Sequence, residues 1–265
     1  MSTGPNADER FVEYYTEQSV SEQTHQRIRN VRRILLKLRS ELGLPTTSLD
    51  VLDVGCGAGT QALAWAGDGH RAHGIDISAP LINLARKRAN ADGLQADFRI
   101  GSATEMPFAT GSSDVVMVSE LLEHLADWKS CVDESLRVLR PGGVIYFSTT
   151  NRLCPIQQEF DLPLYSWYPA PIKKHCEKLA VTTHGHWVQY TSFPAVHWFS
   201  FYQFRDYLDA RGVTARDRFD VMESKGSILR STLVGAVRRS ATLRLLGHVL
   251  TPYTVVAGFK RLQKT

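Results

Sequence analysis

Three features of the 265-residue sequence predict an α/β fold with a mostly parallel sheet. Short β-rich runs alternate with helical stretches between Leu49 and Ile145, a glycine-rich turn follows the first run, and a carboxylate closes the second. Residues 21–42 come first, with Ile28, Val31, Leu35, Leu38 and Leu42 at three- and four-residue intervals. That spacing predicts an amphipathic helix, broken at Gly43 and Pro45.

Strands are then predicted at residues 49–54, 72–77, 96–100, 115–118 and 144–148, with helices at 61–66, 81–91 and 131–139. The last helix is stopped by Pro141, Gly142 and Gly143. Strands and helices in that order need right-handed crossovers. The rhythm fails over residues 150–200, which are rich in proline and in aromatics: Tyr165, Trp167, Tyr168, Trp187, Trp198 and Phe199. It resumes with a helix at 201–211, a short strand at 218–222 and a final strand at 253–259. Residues 229–250 put Leu229, Leu233 and Val237 on one stripe beside Arg230, Arg238, Arg239 and Arg244, which predicts a basic amphipathic helix or helix pair.

The expected organisation is a single domain, 1–265, with an N-terminal helical segment at 1–48. An aromatic-rich insertion at 150–200 follows the fifth strand, where it would hang over the site, and a basic helical insertion occupies 225–251. A hydrophobic content of 43% supports one substantial core. No apolar run approaches the roughly 18 residues of a membrane span, and the first ten residues are polar, so a cytoplasmic protein is expected. Cys56, Cys131, Cys154 and Cys176 lack C-x-x-C spacing and predict reduced thiols rather than a disulfide framework or a zinc site. A net charge of +4 is too small to argue for a nucleic-acid partner, though it suits an anionic substrate or membrane surface.

The run Val51-Leu52-Asp53-Val54-Gly55-Cys56-Gly57-Ala58-Gly59-Thr60 is a strand entering a glycine turn and then a helix. Such turns also cradle dinucleotide pyrophosphates, so the neighbouring acid discriminates. Asp53 would repel a diphosphate and attract a cofactor bearing an ammonium and a sulfonium. Asp76, in Gly74-Ile75-Asp76-Ile77-Ser78, lies about 20 residues beyond the turn, where a carboxylate accepts both ribose hydroxyls. Alternatively it caps the helix that follows.

These two runs, together with Leu139-Arg140-Pro141-Gly142-Gly143, resemble the motifs of class I S-adenosylmethionine-dependent methyltransferases over roughly residues 49–150. The segment Ser119-Glu120-Leu121-Leu122-Glu123-His124 is similar to the ubiquinone-biosynthesis O-methyltransferases. The resemblance implies a Rossmann-like sheet with an antiparallel last strand and helices on both faces, S-adenosylmethionine as cofactor, and polyprenyl catechol substrates. It also implies that Gly55, Gly57 and Gly59 admit the cofactor, that Ile77, Ser102 and Ala103 join its site, that Ser119 borders its methionine end, and that Arg32 meets its carboxylate. Gly101-Ser102-Ala103 departs from the Gly-Asp-Ala common in relatives, so a hydroxyl replaces the carboxylate that usually accepts from adenine.

Methyl transfer from a sulfonium needs alignment, exclusion of water and removal of the acceptor's proton. His124 has the suitable intrinsic pKa for that proton, with Glu123 beside it. Glu120, Glu123 and His124 also offer two carboxylates and an imidazole at a spacing suited to Mg²⁺, which would acidify a catechol hydroxyl; the other reading has them flanking a helix start and packing by the cofactor. His184-Gly185-His186 lacks an accompanying carboxylate or thiolate and reads as pocket or surface histidines. The aromatics of the insertion read either as a substrate pocket or as a satellite core. The basic helix, with Lys173, Lys174 and Lys178, suits peripheral membrane contact and a lipid-borne substrate; covering the sheet or forming a homodimer are its other uses. The expected activity is O-methylation of a phenolic or catecholic hydrophobic small molecule. N- or C-methylation, a nicotinamide-dependent oxidoreductase without a recognisable Tyr-x-x-x-Lys pair, and a non-catalytic cofactor-binding module are the alternatives.

Overall fold

The computed structural model describes residues 16–17, 19–184, 187, 195–222 and 228–262. The first half runs α1 (Glu22–Glu41), β1 (Asp50–Val54), α2 (Thr60–Gly67), β2 (Arg71–Asp76), α3 (Ala79–Ala91), β3 (Ala96–Ile100), β4 (Ser113–Ser119), α4 (Trp128–Val138) and β5 (Leu139–Thr150). The second runs α5 (Ala170–Thr182), α6 (Phe201–Asp209), β6 (Val213–Asp217), α7 (Arg218–Val221), α8 (Ile228–Arg239), α9 (Ala241–Val249) and β7 (Tyr253–Lys260), with 3-10 turns at Leu122–His124 and Tyr165–Trp167. The strands form a seven-stranded, mostly parallel sheet with one antiparallel strand, in the order β3-β2-β1-β4-β5-β7-β6.

The chain divides into two compact units. The first holds the described residues of Met1–Leu121, Asp127–Tyr146 and Phe259–Thr265; the second holds those of Leu122–Ala126 and Phe147–Gly258. In the first unit, Val51, Leu52, Val54 and Val115 to Val118 have no exposed surface. The unbroken apolar run of β4, and that of β1 interrupted only by Asp53, reflect parallel strands covered on both faces, where an alternating pattern would waste one of them. Ser21 caps α1 by accepting from Thr24 N, and the stripe Ile28, Val31, Leu35, Leu38 is buried as its spacing predicts.

Charge locks the amino end of this sheet. Asp50 accepts from Arg71 Nε (2.6 Å) and Arg140 Nη2 (2.8 Å), and Arg140 also pairs with Asp114 at 2.6 Å. The Arg71 hydrogen bond is the main reason the Asp50 carboxyl is held down at about 2, with Arg140 adding to it. The carboxyl ends of the strands are left for the site. One predicted boundary moves: α4 passes directly into β5 at Leu139, so the Pro141-Gly142-Gly143 segment lies inside a strand. Lys260 Nζ donates to Leu136 O (2.7 Å) and Leu139 O (2.9 Å), satisfying carbonyls at the helix end that a loop would otherwise leave to water.

In the second unit, residues 218–222 are predicted as a strand but begin as the short helix α7. Asp217 is the cause: its carboxylate accepts from Phe219 N (2.9 Å) and Asp220 N (3.0 Å), and Asp220 returns to Asp217 N, a capping box that turns the chain. The basic helical segment is a pair, α8 and α9. Leu229 and Leu233 face outward, whereas Val234 in α8 and His248 in α9 are buried. Two of its arginines are committed within the unit: Arg238 to the carbonyls of Phe219, Asp220 and Met222, and Arg244 to Asp217 and Asp220. The insertion aromatics form a satellite core, with Phe160 stacked on a fully buried Tyr165 at 4.1 Å and Trp187 and Trp198 packed against it.

Asp217 is fully buried between Arg244 (2.6 Å) and His248 (3.0 Å). Burial alone would raise its carboxyl, but the hydrogen bonds from His248 and Arg244 prevail and hold it well below the ordinary 3.8. A depressed acid stabilises the fold above its unfolded pKa, and that stability is lost as pH falls toward the folded value. Asp217→Asn is therefore expected to cost on the order of 3 kcal/mol at pH 7. The deficit should shrink steadily as urea midpoints are measured at successive pH values below about 4.

Candidate functional site

The glycine turn hangs from the end of β2. Gly55 N and Cys56 N both donate to Ile75 O at 2.8 and 3.0 Å, and Gly57 N donates to Asp76 Oδ2 at 2.9 Å. Asp76 Oδ1 accepts from Ser78 N at 2.8 Å, so the carboxylate bridges the turn and the β2 exit. The N-cap of α3 is Ser78, so Asp76 does not cap that helix. Burial pushes the Asp76 carboxyl up, while the donors of Ser78 and Gly57 pull it back. Each carboxylate oxygen accepts two hydrogen bonds, which leaves Asp76 capacity for a ligand's hydroxyls.

Gly57 has φ +51°, and a Cβ there would meet nothing nearer than Leu81 Cδ1 at 4.0 Å. It forms the open lip of a cradle. Gly59 differs: a Cβ would sit 2.7 Å from both Ala85 Cβ and Phe98 Cζ, so this glycine serves close packing of the turn on α3 and β3. Gly55 carries Leu121 where its side chain would be.

Asp53, at the end of β1, is buried, and Gln61 Nε2 donates to its Oδ1 at 2.9 Å. Burial raises its carboxyl to about 7; the Gln61 bond and the charge of Arg27 oppose that rise and Asp76 adds to it. A cation brought against it would recover the ionised form. Cys56, in the turn itself, is buried, and its thiol is pushed well above the ordinary range by burial and by the charges of Asp53 and Asp76.

Strand register brings the remaining positions of this unit to the same edge: Asp53 pairs with Gly74 and Met117, and Asp76 with Ile100. Ile77 is 67% exposed beside Asp76, apolar surface on which a flat ring can lie. Ser102 Oγ is bound to Thr104 Oγ1 (2.8 Å) and Thr104 N (3.2 Å), so the hydroxyl standing in for the usual carboxylate is occupied by its own turn, with Ala103 half-buried next to it. Ser119 Oγ, at the end of β4, is buried without a hydrogen-bond partner among the described residues. Glu120 follows with φ +51°, a strained conformation of the kind that concentrates at functional sites.

Arg32, expected at the cofactor carboxylate, has protein partners in this structure. Its Nη1 donates to Ala64 O (2.8 Å) and pairs with Asp68 (2.8 Å), clamping α1 to the carboxyl end of α2. The arginine whose charge reaches Asp53 is Arg27. The metal set is corrected: among the described residues no group of three or more His, Cys, Asp or Glu side chains could hold a metal ion. Glu123 has no exposed surface; its Oε2 accepts from Thr149 Oγ1 at 2.8 Å, and its carbonyl accepts from Val196 N and His197 N. The turn Leu122–His124 aims that carboxylate into the second unit rather than toward shared ligands, while His124 keeps partial exposure. His184 bonds Thr183 and packs tilted against Trp187; residues 185 and 186 of the histidine run lie outside the described residues. Gln61, missed in the sequence, has a legible signal in retrospect: it is a long polar residue in the first turn of the helix that the glycines introduce.

Residues 52–147, which hold this acid-flanked glycine turn and the strands around it, match the family model described as a methyltransferase domain, whose class I members use S-adenosylmethionine. In particular, the chain is similar to a ubiquinone biosynthesis O-methyltransferase of Thiobacillus denitrificans, 41% identical over 109 residues that cover 41% of this chain and 47% of that protein. The chain thus spans about half the length of the curated relatives it matches. Among solved structures, a protein from Pyrococcus horikoshii OT3 is similar with a TM-score of 0.57 and 16% identity, covering 94% of this chain and 99% of that one. The [4+2]-cyclase SpnF is similar with a TM-score of 0.52 and 17% identity, covering 87% and 81%. Likenesses at such identity speak for the fold alone, and the cyclase shows that one fold hosts different chemistries.

Because the folded Asp53 carboxyl lies above its unfolded value of 3.8, the stability it confers is present below about 4 and lost as pH rises through about 7. Asp53→Asn escapes that loss. The variant should melt at a higher temperature than wild type at pH 8, by up to about 2–4 kcal/mol in stability, and the gap should close when melting is repeated at pH 4.

Proposed function

We propose that the chain transfers a methyl group from S-adenosylmethionine to a hydroxyl of a phenolic or catecholic, hydrophobic small molecule. The observation that carries the reading is the pair of carboxylates, Asp53 and Asp76, flanking a glycine turn whose lip at Gly57 is open. Bound there, the cofactor supplies an electrophilic methyl group on a sulfonium. Asp76 would accept its ribose hydroxyls, Asp53 would face its ammonium, and the buried Ser119 hydroxyl and the Gly57 backbone would border it. Ile77, Ser102 and Ala103 would line the adenine side, with Ser102 the weakest of these because its hydroxyl is already engaged.

His124 takes the acceptor's proton in this reading, an imidazole being the side chain whose ordinary pKa suits transfer near neutral pH. Glu123 then holds the turn that presents it, through Thr149 and the backbone of residues 196 and 197, rather than acting on substrate itself. No step is assigned to a metal ion, since the residues proposed as ligands do not converge. The relative of Thiobacillus denitrificans is named for ubiquinone biosynthesis, which supports a ring hydroxyl as acceptor. Among the described residues no helix is long and apolar enough to cross a membrane, so a lipid-borne acceptor would be met from the surface.

Calorimetric titration tests the cofactor: S-adenosylhomocysteine should bind saturably and NAD⁺ should not, and the reverse result would remove the proposal. Asp76→Ala should weaken S-adenosylhomocysteine by about 1–3 kcal/mol, roughly five- to 150-fold; unchanged affinity would deny Asp76 its role. In a methyl-transfer assay on a catechol panel, His124→Gln should lower kcat about 10²- to 10⁴-fold with cofactor affinity preserved. EDTA should leave the wild-type rate unaltered, and a rate restored by Mg²⁺ would reinstate a metal.

A further inference from the structure

The second unit contains a cavity of about 390 Å³ lined by Arg152, Ser166, Trp167, Tyr168, Ala170, Lys173 and Trp198. Its size falls within the range of small-molecule sites. Two of the lining residues are cations close enough to repel: burial first, then the charge of Arg152, lowers the Lys173 ammonium to about 8, with Glu177 opposing. Neither forms an ion pair among the described residues. Arg152 donates to the neutral Gln203 Oε1 at 2.9 Å, and Lys173 to Ser166 O at 2.8 Å. Like charges at one aromatic-walled opening are costly unless something anionic joins them.

The cations are also fixed rather than free. Lys173 Nζ stands 4.6 Å from the Trp198 ring centroid and 5.6 Å from that of Tyr165, and its bond to Ser166 O leaves two of three N–H donors for a ligand. Trp167 is 55% exposed at the same cavity yet held, its Nε1 donating to Leu153 O at 3.1 Å. An aromatic ring kept half in solvent by a hydrogen bond is a ready stacking surface. A single carboxylate, with two coplanar oxygens, matches one guanidinium and one ammonium better than a dianion with more lone pairs than these donors satisfy.

We propose that this cavity binds a carboxylate-bearing aromatic small molecule, its carboxylate between Lys173 and Arg152 and its ring against the tryptophans. The site is built from the second unit alone and does not rest on the methyl-transfer reading. Its test is calorimetry on the full chain with 3,4-dihydroxybenzoate, the neutral 3,4-dihydroxybenzamide, decanoate and inorganic phosphate. The benzoate should bind saturably and at least tenfold more tightly than each of the others. Lys173→Met and, separately, Arg152→Gln should each weaken it at least tenfold, with unchanged melting temperature required of the variant that is scored. An amide that binds as well as the acid, or variants that bind like wild type, would overturn the assignment of the anion. Decanoate binding equally would overturn the aromatic part, and displacement by phosphate would overturn the choice of carboxylate. S-adenosylhomocysteine titrated into the same samples reports the methyl-donor site separately, so the two readings fail independently.

Discussion

The end of β2 governs the first unit. One carboxylate, Asp76, takes a backbone N–H from the glycine turn and another from the entrance of α3, while the carbonyl of Ile75 takes two more from the turn. Four charge-assisted or backbone bonds thereby fix a loop that has few side chains with which to hold itself. The open lip at Gly57, the burial of Asp53 and the tight seat of Gly59 on Ala85 and Phe98 all presuppose that fixed loop. Preorganisation of this kind means that a ligand does not have to order the loop as it binds.

A second constraint acts at the opposite edge, where Asp50, Asp114, Arg71 and Arg140 tie β1, β2, β4 and β5 together. The division of labour is physical: paired charges with low carboxyl pKa values hold the amino ends, and carboxyls raised by burial wait at the other. Asp53 is costly to the apo fold at neutral pH because water has been removed from it without a full partner. A carboxyl perturbed in this way beside an open turn is a candidate binding group for a cation.

The parallel half of the fold was legible because its signals are local. Val115 to Val118 could hardly be anything but a buried strand, and the glycines with Asp53 and Asp76 announced their turn. Less legible were the contacts that distant residues decide. Arg32 is held by the carbonyl of Ala64 and the carboxylate of Asp68, and nothing in residues 21–42 reveals those partners. Residues 218–222 have strand-like composition, yet Asp217 caps them into a helix after being pinned by Arg244 and His248 from far along the chain. The E-x-x-E-H spacing suggested shared ligands, but a 3-10 turn sends Glu123 to Thr149. Spacing states which residues are neighbours in sequence, and side-chain direction is settled by the turn between them.

The thiol in the glycine turn carries a consequence for oxidative chemistry. Cys56 is buried near the charges of Asp53 and Asp76, and both effects push its thiol well above the ordinary range and favour the S–H form. Peroxides and alkylating agents are attacked by the thiolate, and little of it forms there. A cysteine at the mouth of a nucleotide-type cradle would ordinarily expose binding to redox damage, and the acids that shape this cradle also shield its sulfur.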